Sequence, residues 1–143
     1  MPSHLSSSLV VAHIDGASRG NPGPAAYGVV LESADGAPLA TLSKTLGQTT
    51  NNVAEYHGLL AALEYVLENH LTRLKVLTDS ELMARQIQGV YKVRSPDLRP
   101  LYELSRSAIA KLESFSIQHV RREQNRDADR LANEALDGEK KSK

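Results

Sequence analysis

Four acidic residues have the type and the setting for chemistry: Asp15 in HIDGASRGNPGP, Glu55 in TTNNVAEYHGLLAAL, Asp79 in LTDSE and Asp129 in REQNRDADRLAN. Carboxylates so widely spaced form no local motif, so their meaning depends on a fold that gathers them. Gathered, they make a site for a hard cation. Mg²⁺ takes one or two carboxylates together with waters and substrate phosphates, and an acid cluster is the usual way to hold a metal pair about a phosphodiester. Each acid also has a structural alternative. Glu55 stands three residues after Asn52 as the partner in a capping box would, Asp79 is placed to cap a helix starting at Ser80, and Asp129 suits the positive end of a last helix. Asp15 is the hardest to explain structurally, because an acid closing an apolar strand needs a partner or a metal.

The elements that would position these acids follow from periodicity and turn chemistry. Leu9 to Asp15 reads as a buried strand, and the Gly and Pro density of ASRGNPGPAAYG as an irregular tight connection. YGVVLES and PLATLSKTL flank Ala34-Asp35-Gly36-Ala37, a strong hairpin signal, so three antiparallel strands open the domain. Val53, Tyr56, Leu59, Leu60, Leu63, Val66 and Leu67 recur at helical spacing and predict a helix from Asn52 to about Asn69. Leu74 to Thr78 reads as a strand and Ser80 to Gln88 as a short helix that Gly89 terminates. Tyr91 to Pro100 reads as an irregular basic loop, Leu101 to Leu112 as a helix, Phe115 to Val120 as a strand and Asp127 to Leu136 as a closing helix burying Ala128, Leu131, Ala132 and Ala135. This order predicts an α/β fold with a five-stranded mixed sheet, antiparallel then parallel, and helices on both faces. Asp15 and Asp79 then end neighbouring parallel strands, where sites in such sheets lie.

The chain has 143 residues, 41% of them hydrophobic and 24% charged, with no cysteine. That composition fits one soluble domain over residues 8–137, with a flexible N-terminus at 1–7 and a disordered basic tail at 138–143. The lack of cysteine excludes disulfides, thiolate zinc sites and cysteine nucleophiles. The opening residues suit neither a signal peptide nor a membrane span, which points to a cytoplasmic protein. Seventeen basic residues balance seventeen acidic ones, so attraction to nucleic acid depends on distribution rather than net charge. Lys92, Arg94, Arg99, Arg121, Arg122 and Arg126 are the candidates to contact phosphates. DGASRGNPGP has neither the Lys-Ser/Thr ending of a phosphate loop nor GxGxxG spacing. Its Asn21 is placed to offer an amide to a nucleic-acid backbone or groove, and Thr50, Asn51 and Asn52 suit either helix capping or contact with groove edges.

Taken together, IDGASRGNPGPAAYG, TNNVAEYHGLLAAL, LTDSE and REQNRDADRLAN resemble, in order and spacing, the type 1 ribonuclease H family from about Leu9 to Leu136. The resemblance implies the RNase H fold and hydrolysis of the RNA strand of RNA/DNA hybrids with two divalent ions, Mg²⁺ with Mn²⁺ able to substitute. Double-stranded RNA is a second candidate substrate. By the same resemblance Asp15, Glu55, Asp79 and Asp129 are the metal-binding and catalytic acids. Asn21, Asn51 and Asn52 correspond to minor-groove contacts, which can distinguish RNA from DNA through the 2′-hydroxyl.

Two stretches depart from the best-known bacterial members. Where those carry a Gly- and His-rich loop with a mobile histidine that helps product leave, this chain has RREQNRDA. His119 falls within the predicted strand, so Arg121 or Arg122 is expected near the metals, as in a compact branch of the family. GVYKVRSPDLRP stands where several relatives insert a Trp- and Lys-rich grip on the DNA strand, leaving Lys92, Arg94 and Arg99 for a weaker one. No separate hybrid-binding domain at the N-terminus and no obligate protein partner are expected, and a monomer is. Two alternatives remain at this stage. A proofreading-type exonuclease or transposase-like nuclease of the same fold would order its acids differently, and a non-catalytic hybrid-binding module would not need all four.

Overall fold

The computed structural model describes residues 8–141. Strand β1 spans Leu9–Ser18, β2 Gly23–Ser33 and β3 Pro38–Thr49, followed by helix α1 (Asn51–Glu68) and strand β4 (Arg73–Thr78). Helices α2 (Glu81–Ile87) and α3 (Arg99–Ile109), strand β5 (Ser114–His119), a 3₁₀ turn (Arg122–Asn125) and helix α4 (Arg126–Lys141) complete the chain. The sheet order is β3-β2-β1-β4-β5, with β1 antiparallel to β2 and parallel to β4, and β4 parallel to β5. This is the α/β architecture expected, five strands with the antiparallel half first.

The two faces of the sheet can be read from β1. Val10, Ala12 and Ile14 are buried, and a Cβ on Gly58 of α1 would lie 2.7 Å from the Ile14 side chain, so this face carries α1. Tyr56, Leu59, Leu63 and Val66 of α1 pack there with Leu31, Leu74 and Val76. The opposite face carries Asp15 and its cross-strand partner Gly28, and there α4 packs. A Cβ on Gly28 would lie 2.3 Å from the Ala128 carbonyl oxygen and 2.7 Å from the Ala132 nitrogen. Only glycine lets the α4 backbone come this close beside Asp15.

Several boundaries differ from the sequence reading. β1 and β2 run further into ASRGNPGPAAYG than its Gly and Pro content suggests, leaving only residues 19–22 between them. Ala17 pairs with Ala26 and Ser18 with Ala25, and Pro24 sits next to the start of its strand, where a missing N–H is tolerated. Pro100 lies in the first turn of α3 rather than in the preceding loop, for the same reason. The expected disordered tail is helical as far as Lys141, because Glu139, Lys140 and Lys141 favour helix and a lone Gly138 costs only about 1 kcal/mol. Ser142 and Lys143, and the N-terminal segment 1–7, lie outside the described residues. No helix among the described residues is long and apolar enough to cross a membrane.

Candidate active site

The parallel register between β1 and β4 sets Ile14 opposite Thr78, so the residues that follow, Asp15 and Asp79, stand side by side. β1 continues three residues past Asp15 as a partner of β2 alone, and β4 stops at Thr78. Asp15 is therefore inside its strand rather than at its end. The acid is exposed to the cleft because the β4 neighbour has gone. From the other face α1 contributes Glu55, brought against the strand where Gly16 has no side chain. A Cβ on Gly16 would lie 2.6 Å from the Glu55 nitrogen.

Oxygens of Asp15, Glu55 and Asp79 lie within 4.8 Å of one another, and Asp129 of α4 shares a hydrogen bond with Asp15. The four acids line one cleft of about 340 Å³ with Ser18, Asn51, Asn52, Arg122 and Asn133. Of the structural alternatives, only that of Asp129 is taken up, since it lies in the first turn of α4. Thr50 caps α1 by accepting from the Val53 N–H at 3.2 Å, and Ser80 caps α2 by accepting from the Met83 N–H at 3.2 Å. Glu55 and Asp79 are thus free of capping duty.

The charge carried here is costly. Burial first, then the Glu55 carboxylate, the hydrogen bond to Asp129 and the nearby Asp79 push the Asp15 pKa up to about 10. Burial and the charge of Asp79 push Glu55 up as well, partly offset by the Gly16 N–H. Oε1 of Glu55 is buried with no hydrogen-bond partner among the described residues. An orphaned acceptor among mutually repelling carboxylates fits a hard divalent cation, since such an ion would supply the missing partner and favour the charged forms.

Around the acids the expected residues divide. Asn51 and Asn52 are exposed on the cleft rim. Asn21 does not line the cleft but is tied to its rim, its Oδ1 accepting from the Asn51 N–H at 3.1 Å, which leaves its amide N–H₂ as the group to offer. The Thr50 hydroxyl is occupied by its cap. Arg122 brings Nε to 3.7 Å from Asp79 Oδ2 while 83% of its side chain is exposed, so it can reach outward from the acids. Arg121 does not line the cleft. It precedes the 3₁₀ turn, where its N–H donates to the Gln124 side chain at 3.2 Å. His119 is exposed at the end of β5, opposite Thr78. Lys92 and Arg94 lie on the exposed 88–98 loop, outside the acid cleft, while Arg126 lines a neighbouring pocket with His13 and Glu32.

The sequence reading overlooked three contributors. An isolated Gly28 in an apolar strand is a signal of close backbone approach. Asn133 lies one helical turn beyond Asp129, the spacing at which side chains meet. Its Nδ2 donates to Asp129 Oδ1 at 3.2 Å and to the Asp129 carbonyl at 2.9 Å. The third, Asn125, is buried and donates to the Ile14 carbonyl at 2.7 Å, tying the start of α4 to the strand just before Asp15. Nothing in the sequence marks that long-range bond.

Residues 13–135 match the family model described as "Reverse transcriptase-like". The chain is 46% identical to the ribonuclease HI of Halobacterium salinarum over 90% of its length, and 44% identical to the bifunctional protein Rv2228c of Mycobacterium tuberculosis over a similar share. It spans 64% of the first protein and 35% of the second. The crystal structure of LC11-RNase H1 in complex with an RNA/DNA hybrid superposes with a TM-score of 0.86 at 40% identity, covering 90% of this chain and 97% of that one.

Proposed function

This chain belongs to the type 1 ribonuclease H family, and from that premise we propose that it is an endonuclease hydrolysing the RNA strand of RNA/DNA hybrids with divalent cations bound to its acids. The observation that carries this reading is the group of three carboxylates within 4.8 Å, with Glu55 Oε1 buried and unpartnered among them. All the donors are hard oxygens, a set suited to Mg²⁺ and tolerant of Mn²⁺.

Asp15, Glu55, Asp79 and Asp129 are the residues that would hold a pair of such ions. Bound there, the ions supply activation of water and charge stabilisation at the departing 3′ oxygen. The rest falls to the chain itself. Asn51 and Asn52, with the free amide of Asn21, meet the groove of the duplex at the rim, where an amide both donates to and accepts from a 2′-hydroxyl. That selects the RNA strand. Arg122, extended from the acids into solvent, holds a phosphate oxygen at the reacting or departing group electrostatically. The hybrid-bound LC11-RNase H1 supports a duplex as the substrate of this fold at this degree of likeness. A soluble cytoplasmic monomer acting without a protein partner completes the proposal.

Purified protein incubated with end-labelled hybrid, duplex RNA, single-stranded RNA and duplex DNA, with Mg²⁺, with Mn²⁺ and with chelator, tests it. Internal cuts confined to RNA strands and abolished by chelator are expected. Comparable cutting of duplex DNA would refute the substrate, and metal-independent cutting would refute the role of the acids.

A further inference from the structure

The turn between β1 and β2 reaches α4 through one side chain. Arg19 places Nη1 2.8 Å from Asp137 Oδ1, and its Nη2 donates to the Oδ1 of Asn133 at 3.3 Å and to the Asn133 carbonyl at 3.4 Å. Asn133 in turn donates from Nδ2 to Asp129. The orientation of this amide is forced. A guanidinium has only donors, so the Asn133 oxygen must face Arg19 and its N–H₂ must face the Asp129 carboxylate. One Asp129 oxygen is held from the side by a neutral donor, at the end of a chain of contacts that begins on another element.

The same turn is fastened at its other flank to the start of α1. Asn21 accepts from the Asn51 N–H, and the Ser18 hydroxyl, whose nearer acceptor is the Gly20 carbonyl, lies 3.2 Å from the Thr49 carbonyl. Residues 18–21 therefore bridge the asparagine rim and the acid on α4.

We infer that Asn133 is a positioning residue that sets the rotation of the Asp129 carboxylate, and that Arg19 makes this setting depend on the β1–β2 turn. The inference rests on the proposed reading of the cleft as a phosphodiester site. Losing a group that orients a metal-binding carboxylate typically costs ten- to a hundredfold in activity or affinity, roughly the scale to look for here.

Three variants test it: Asn133→Leu, which keeps the volume without a donor, Arg19→Ala, and the two combined. With hybrid substrate, Asn133→Leu should lower kcat about tenfold while KM stays within about twofold and the melting temperature hardly moves. Arg19→Ala should lose less, and the combined variant no more than Asn133→Leu alone, because the two act in series. An unchanged kcat, or a kcat loss matched by a loss of melting temperature, would overturn the role of Asn133. Additive losses would overturn the link through Arg19. A second readout does not depend on turnover: in ¹⁵N-labelled protein the Asn133 side-chain amide signals should shift on Arg19→Ala. Hybrid left uncut by the wild type would defeat the proposed function while this readout still decides the inference, and an Asn133 signal indifferent to Arg19 would sink it.

Discussion

At the scale of single residues, the acid cluster sets stability against function. The ordinary carboxylate value for Asp15 is 3.8 and its value in the fold is about 10. Between the two, the folded chain keeps a proton that the unfolded chain has released, so this group's contribution to stability declines as pH rises through that window. In chelator, melting temperatures measured from pH 5 to pH 9 should fall with pH, and Asp15→Asn should flatten the trend and raise the melting temperature at the alkaline end. The same substitution should abolish nearly all cleavage. Retained cleavage in Asp15→Asn would remove the acid from the site. The arginines make a second prediction at this scale. Because Arg122 reaches the acids and Arg121 does not, Arg122→Ala should lower turnover about tenfold or more, in the range of an electrostatic contact to reacting phosphate, whereas Arg121→Ala and His119→Ala should stay within a few-fold of wild type. A dependence on His119 instead would point to proton transfer at that position.

At the scale of elements, the site depends on two close approaches of helix to strand, at Gly16 and Gly28. Gly28→Ala would press a methyl group against the α4 backbone, which cannot yield as a flexible side chain would. The expected cost is about 1–3 kcal/mol of stability, the usual range for overpacking, with a fall in kcat from displacement of Asp129. Denaturant unfolding and single-turnover cleavage read the two effects separately, and a Gly28→Ala protein with unaltered stability would mean that α4 has slack. Much of this architecture was legible beforehand. Apolar spacing gave α1, the Asp35-Gly36 pair gave the β2–β3 hairpin, and the short apolar runs gave β4 and β5. The ends were harder to read. Strands beside the Gly- and Pro-rich turn lengthen because they pair with each other, which no local propensity reports. Likewise all four acids stood out by their contexts, and Asn133 was legible in its helical spacing from Asp129, while Asn125 was not, since its partner, the Ile14 carbonyl, is set by packing against the sheet rather than by a neighbour in sequence.

At the scale of the whole molecule, equal numbers of basic and acidic residues leave no net field to draw in a polyanion. Affinity then rests on individual contacts. Each phosphate neutralised contributes roughly 0.9 to the slope of log affinity against log salt, taking duplex DNA as a guide. If Lys92 and Arg94 on the exposed 88–98 loop both touch phosphate, replacing the two with alanine should flatten the slope by about two units in hybrid-binding titrations, with cleavage at saturating enzyme nearly unchanged. An unaltered slope would assign both to solvent. The strand alignment acts at this scale too. Asp15 and Asp79 meet because Ile14 lies opposite Thr78. A slip of one residue shifts β4 by about 3.3 Å and turns its side chains over. Helix content would scarcely register such an error in a spectrum, yet the carboxylates would be scattered. The acid cluster is in this sense a gauge of correct threading: in a refolded preparation, specific activity counts the molecules whose strands are in step, and a circular dichroism signal does not.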